Sequence, residues 1–190
     1  MPPNAPRTAE RILDVAADLF VTRGYGESPL SLIAKEVGIT KASLYYHYPS
    51  KESMLQALVS PLLDDIDALL EETPEHFDDP EERRRFLAAY VAVLRAHPRA
   101  VAVIASRPWA QNALSADPRI RRHRDRTIDL ATPPDATDEE RVRALLAMDI
   151  IHRELVFTEE RLVLADLPVA RRQALALEVA HRLLDGPAPV

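Results

Sequence analysis

Gly38 separates two short apolar-striped stretches, and no other feature narrows the possible folds as much. Before it, Leu30, Ile33, Ala34 and Val37 fall at helical spacing and give one buried face. Ser28 is a good N-cap with Pro29 at the first helical position. Glycine at position 38 ends that helix without the steric cost that a positive φ imposes on other residues. Ile39 is an apolar plug, and Thr40 can cap a second helix from Lys41 to about Tyr48. Two short helices joined by a tight glycine-containing turn form a helix-turn-helix, whose second helix fits the DNA major groove.

Upstream, Thr8 can cap a first helix that carries Ile12, Val15, Ala16, Leu19 and Phe20 on one stripe and stops at Gly24. Downstream, Ser50 caps a fourth helix. Leu55, Leu58, Leu62, Ile66 and Leu69 continue one stripe through Pro61, which predicts a kinked but continuous helix. Further helices are expected over about 81–96, 99–107, the basic and solvated run RIRRHRDRTIDLA, Thr137 or Asp138 to about Leu164, and Pro168 to about Leu184. No stretch alternates and only 4 glycines are present, so no sheet is expected. The predicted fold is all-α with about nine helices. Residues 1–52 form a three-helix helix-turn-helix DNA-binding domain, and 53–190 a C-terminal helical ligand-binding and dimerisation domain.

Charge qualifies the DNA reading without removing it. The chain has 24 Lys and Arg against 30 Asp and Glu, a net charge of −6, whereas nucleic-acid-binding domains are usually basic. Residues 1–52 hold cations at 7, 11, 23, 35, 41 and 51 and anions at 10, 14, 18, 27, 36 and 52, so the head is neutral. Lys41 and Lys51 flank the proposed groove helix. The absence of cysteine excludes disulfides, thiolate metal sites and a cysteine nucleophile. No apolar run approaches the ~20 residues that cross a bilayer, and the N-terminus lacks a signal peptide's apolar centre. A cytoplasmic, bacterial protein is expected, with no membrane partner.

The run IAKEVGITKASLYYHYPSKESML resembles the DNA-binding segment of TetR-type transcriptional repressors in its Ile-Ala pair, glycine turn, Leu-Tyr pair and aromatic-Pro-Ser-Lys-Glu exit. RILDVAADLFVTRGY resembles that family's first helix, ending in its Gly-aromatic corner, and the likeness covers roughly residues 8–58. It implies a ligand-responsive homodimeric repressor, released from a near-palindromic double-stranded DNA operator by a small-molecule effector.

In the recognition helix, Thr40, Lys41, Ala42 and Ser43 form the turn that enters the groove first. Lys41 can donate to guanine, Ser43 can bond either base type, and Ala42 can touch a thymine methyl. The resemblance implies that Tyr45, His47 and Lys51 match phosphate-contacting positions. Helix N-termini at Lys51 and Ser28 would favour an anion. Tyr46 and Ser31 complete the candidate set, Ser31 being short for a base contact. The alternative for Tyr45 and Tyr46 is half-buried packing.

In the C-terminal part, Ala144, Met148, Ile151, Leu155 and Leu162 form one stripe of helix 8. Leu175, Leu177, Val179, Leu183 and Leu184 spread round helix 9, which carries more apolar surface than one face requires. Both helices are therefore expected to meet their symmetry mates in a four-helix interface, the alternative being that both are simply core. The expected dimer residues are Met148, Ile151, Leu155, Leu162, Leu175, Leu177, Val179, Leu183 and Leu184.

Trp109, in a proline-broken segment, suggests a cavity wall or lid, and Tyr90, His97, His123, Asp149, His152 and Phe157 are candidates to share that cavity. Asp149 and His152 at i and i+3 can orient a ligand or simply bond each other at a core edge. Only one Asp-x-x-His exists, so no di-metal helix motif is complete, and no cofactor is implied. With no P-loop, Gly-x-Ser-x-Gly or Gly-x-Gly-x-x-Gly, an enzyme is not expected. A second class stays open: an all-helical small-molecule-binding protein whose head mediates protein contacts.

Overall fold

The computed structural model describes residues 5–105, 118–156 and 167–185. Its described residues form nine helices and no strand: α1 (Ala5–Thr22), α2 (Leu30–Val37), α3 (Lys41–His47), α4 (Lys51–Glu71), α5 (Pro80–Ala96), α6 (Pro98–Ala105), α7 (Pro118–Ala131), α8 (Asp138–Val156) and α9 (Val169–Asp185). None is long and apolar enough by itself to cross a membrane.

Local signals set the head. The Gly24 N–H reaches the Leu19 carbonyl at 3.2 Å to close α1, with Gly24 at φ 98. Gly38, at φ 76, closes α2 in the same left-handed way, and the Ile39 N–H reaches back to Ala34 at 3.0 Å. Thr40 accepts from the Ser43 N–H at 3.1 Å, which caps α3. Ser50 and Ser53 cap α4 reciprocally, each side chain accepting from the other's backbone N–H.

Two starts differ from expectation. Thr8 lies inside α1, which begins at Ala5. Ser28 is not a cap: Pro29 takes that position without a side-chain bond. The Ser28 hydroxyl turns inward and donates to the Gly24 and Leu19 carbonyls at 2.8 and 3.2 Å. With the side chain fully buried, it is removed from any phosphate. Its nearest acceptors lie in the preceding corner, and a local capping rule does not see them.

The head core is Ile12, Ala16, Phe20, Ile33, Val37 and Leu44, joined by Met54, Leu55, Val59 and Leu63 of α4 and Val103 of α6. A three-helix unit of this size buries little on its own, so α4 and α6 complete it. The second core gathers Leu62, Ile66, Phe86, Tyr90, Leu94, Leu130, Ala144, Met148, Ile151 and Ala180. Helix α4 runs unbroken through an exposed Pro61, the continuity its stripe predicts, and it feeds both cores.

Helix α7 is less solvated than its basic sequence suggests. His123, Thr127, Leu130 and Ala131 are buried, and the face toward α4 carries ion pairs. Arg119 bridges Asp64 and Asp67 at 2.7 and 2.6 Å.

Among the described residues α8 packs most extensively against α9, and this reverses part of the expected dimer surface. Met148 and Ile151 are 5% and 2% exposed and belong to the body core. Leu177, Leu183 and Leu184 pack against the same core, and Leu175 is half-buried. The large apolar residues left outside, among those described, are Val142, Leu145 and Leu146 on α8 and Val179 on α9. Helix α8 carries two apolar stripes, and the one at 144, 148 and 151 is satisfied within the chain. Leu162 and the side chain of Leu155 lie outside the described residues.

Candidate nucleic-acid interface

Helix α3 buries one residue of seven. Leu44 is inaccessible and plugs the head core, while Lys41, Ala42, Tyr45 and Tyr46 are exposed. Tyr45, at 51% exposed, is about half covered, whereas Tyr46 is 74% exposed, which decides against packing as its role. A tyrosine held that far into solvent buries little apolar area within the chain. Thr40 is exposed at the start of the helix, and Ser43 and His47 are half-buried along its sides. Tyr46 meets the His47 ring edge-on at 5.4 Å between centroids. Ser31, on the solvent side of α2, is exposed. Seven of the expected contact residues thus share α3 and its cap, and Ser31 lies on α2.

Lys51 is placed differently. Its ammonium donates to the Tyr25 carbonyl at 2.7 Å and stands 4.3 Å from the centre of the Tyr25 ring. The Tyr25 hydroxyl in turn donates to Glu52 Oε1 at 3.0 Å. Burial, with the Glu52 carboxylate beside it, pushes the Tyr25 phenol well above its ordinary value. Glu52's own backbone N–H, then Ser50 and Tyr25, hold the Glu52 carboxyl below the usual range. The sequence singled out Tyr25 only as a corner aromatic and did not single out Glu52. Arg11 was also missed: it donates to the Val37 carbonyl at 2.7 Å and ties α1 to the end of α2.

Among the described residues, the candidate ligand residues of the body do not all converge. Tyr90 and His152 do meet, with Tyr90 Oη 3.0 Å from His152 Nε2. Burial raises the Tyr90 phenol and lowers the His152 imidazole, the latter opposed in part by the charge of Asp149. Asp149 itself is exposed on the outward side of α8. His97 and His123 instead face α4, at 2.7 Å from Asp65 and 2.6 Å from Asp67. Burial would raise the Asp67 carboxyl, but hydrogen bonds from His123 and Arg119 outweigh it and hold the group below its usual value. Trp109 and Phe157 lie outside the described residues. A groove of about 520 Å³ opens elsewhere, lined by Glu75, His76, Arg126, Asp129, Thr132, Pro133, Pro134 and Arg141, none of them among the expected ligand residues.

Residues 12–58, the head and the start of α4, match the profile of bacterial regulatory proteins of the tetR family. The repressor KstR2 of Rhodococcus jostii is 44% identical over 55 residues, 29% of this chain and 27% of its own length. IcaR of Staphylococcus aureus, a negative transcriptional regulator of a biofilm operon, is 37% identical over 97 residues, 43% of this chain and 51% of its own. The chain thus spans about half or less of the length of the curated relatives it matches. A TetR transcriptional regulator from Streptomyces coelicolor superposes with a TM-score of 0.65 at 25% identity, covering 94% of this chain and 91% of that one. The exposed third helix, the glycine-stopped second helix and the capped start of the fourth all lie within the matched residues, so residues 12–58 are a segment of the tetR-family type and the chain as a whole is similar in fold to a TetR-family regulator.

Proposed function

We propose that this protein is a homodimeric repressor that binds a near-palindromic DNA operator and is released from it by a small molecule. The observation that carries this reading is the presentation of α3, which buries Leu44 alone and turns Lys41, Ala42, Tyr45 and Tyr46 to solvent. Residues 1–52 act as the DNA-binding domain and 53–190 as the effector and dimerisation domain. Lys41 and Ser43 read base edges, Ala42 meets a thymine methyl, and Ser31, Thr40, Tyr45, Tyr46 and His47 make backbone and flanking contacts.

Two heads must enter successive major grooves about 34–36 Å apart, so the dimer has to fix their separation. Val142, Leu145, Leu146 and Val179, large apolar residues left outside on α8 and α9, supply a self-complementary surface for that purpose. Release is a population shift. An effector that prefers a conformer with the wrong head spacing lowers operator affinity by the factor by which DNA lowers effector affinity. Helix α4 is suited to transmit it, because it holds the head through Met54, Leu55 and Val59 and the body through Asp64, Asp65 and Asp67.

Selection of bound fragments from the source organism's genomic DNA tests the reading. A recovered palindrome bound by two chains is the expected result. Equal retention of all sequences at low salt, with none at physiological salt, would count against an operator.

A further inference from the structure

Two consecutive residues of α4 grip Tyr25 at both ends. Lys51 takes its carbonyl, at 2.7 Å, and Glu52 its hydroxyl, at 3.0 Å. These bonds cross 26 and 27 residues of chain, and the segment they close is the whole helix-turn-helix, from its entry after Gly24 to its exit at Ser50. The Tyr25 ring also lies 5.0 Å from the Phe20 ring, so the clasp is anchored in the head core. An ammonium has three protons. One of Lys51's goes to the Tyr25 carbonyl and the ammonium stands over the Tyr25 ring, so the side chain is directed at the corner of the head.

We propose that Lys51 is a positioning residue. With Tyr25 and Glu52 it fixes the angle of α3 to α4, and it supports DNA binding by holding that angle, not by neutralising a phosphate. The role rests on the assignment of α3 to a major groove and deepens it. In a dimer the angle of each head to its α4 sets the separation of the two recognition helices, so a small change at the clasp is felt at both half-sites.

The two roles differ in salt dependence. Losing one phosphate contact on B-DNA reduces the slope of log K against log salt by about 0.9. Losing a positioning contact lowers affinity at an unchanged slope. Titrations of the full chain against genomic fragments recovered by selection, over a salt series, compare Lys51→Met with Tyr25→Phe, which removes a hydroxyl and leaves every cation in place. Lys51→Met is expected to bind about tenfold and Tyr25→Phe about threefold more weakly, both at the wild-type slope. The double variant is expected to lose less than the product of the two. A slope reduced by about one unit in Lys51→Met, with Tyr25→Phe binding like wild type, overturns the positioning role in favour of direct phosphate contact.

Amide hydrogen exchange of the free protein reads the clasp without DNA. Lys51→Met should quicken exchange across residues 24–31 about tenfold while α5 and α8 keep their protection. Unchanged exchange there overturns the clasp. A wild-type chain that retains no DNA overturns the function proposed above, and with it the role of Lys51 at DNA. The exchange result then still decides whether the clasp exists.

Discussion

His123 Nε2 lies 2.6 Å from Asp67 Oδ1, and this contact joins α7 to α4 at a point where the histidine is almost fully buried. Asp67 also accepts from Arg119 at 2.6 Å, so one carboxylate meets an arginine and a histidine of one neighbouring helix. Its pKa is lowered, so the stability it contributes is present above the ordinary carboxylate value and lost as pH falls. Asp67→Asn should cost about 1.5–3 kcal/mol near neutral pH, the range for a hydrogen bond to a charged group. The difference from wild type should shrink on acidification below about pH 4. Denaturant unfolding at several pH values checks both parts, and a constant difference would remove the linkage.

His152 predicts a second pH dependence with its own window. Burial lowers its pKa, so the imidazole is neutral in the folded chain at values where an unfolded histidine is already charged. Stability from this group is complete above about pH 6.5 and is lost as pH falls from there through the lowered folded value. His152→Gln should flatten the stability profile between pH 7 and 5. Thermal unfolding across that range makes the comparison.

Two substitutions on α8 separate its faces. Leu146 is 52% exposed and Met148 5% exposed, two residues apart. Leu146→Arg should leave folding nearly unchanged and convert a dimer to monomer in sedimentation at micromolar protein. Met148→Ala should instead cost about 2–5 kcal/mol of stability and keep the dimer. A wild-type monomer at that concentration would end the proposed assembly.

Lys41→Ala should relax sequence preference at one base position, worth roughly 1–3 kcal/mol, without lowering thermal stability. Lys41 is exposed and begins the helix, so little else depends on it. Binding to operators changed one base pair at a time reads the effect. A uniform loss over all positions would make Lys41 a backbone contact.

Much of the head was legible because its signals act over three or four residues. Thr40 caps α3 through the N–H of Ser43, Gly38 stops α2, and Ser50 caps α4, each from local chemistry alone. The stripe through Pro61 likewise told that α4 continues. Ser28 failed by the same logic, since its hydroxyl found carbonyls behind it in place of the helix ahead.

The sequence by itself determined which segments are helices, where most begin and end, and that α3 follows a glycine turn. Tertiary structure decided who meets whom: Lys51 with Tyr25, His123 and His97 with the α4 aspartates, His152 with Tyr90. Those partners lie 26 to 62 residues apart, beyond the reach of any cap or turn rule. It also decided which apolar stripe of α8 is core and which faces out. Periodicity reports that a face will be covered, whereas only the arrangement of distant helices determines what covers it.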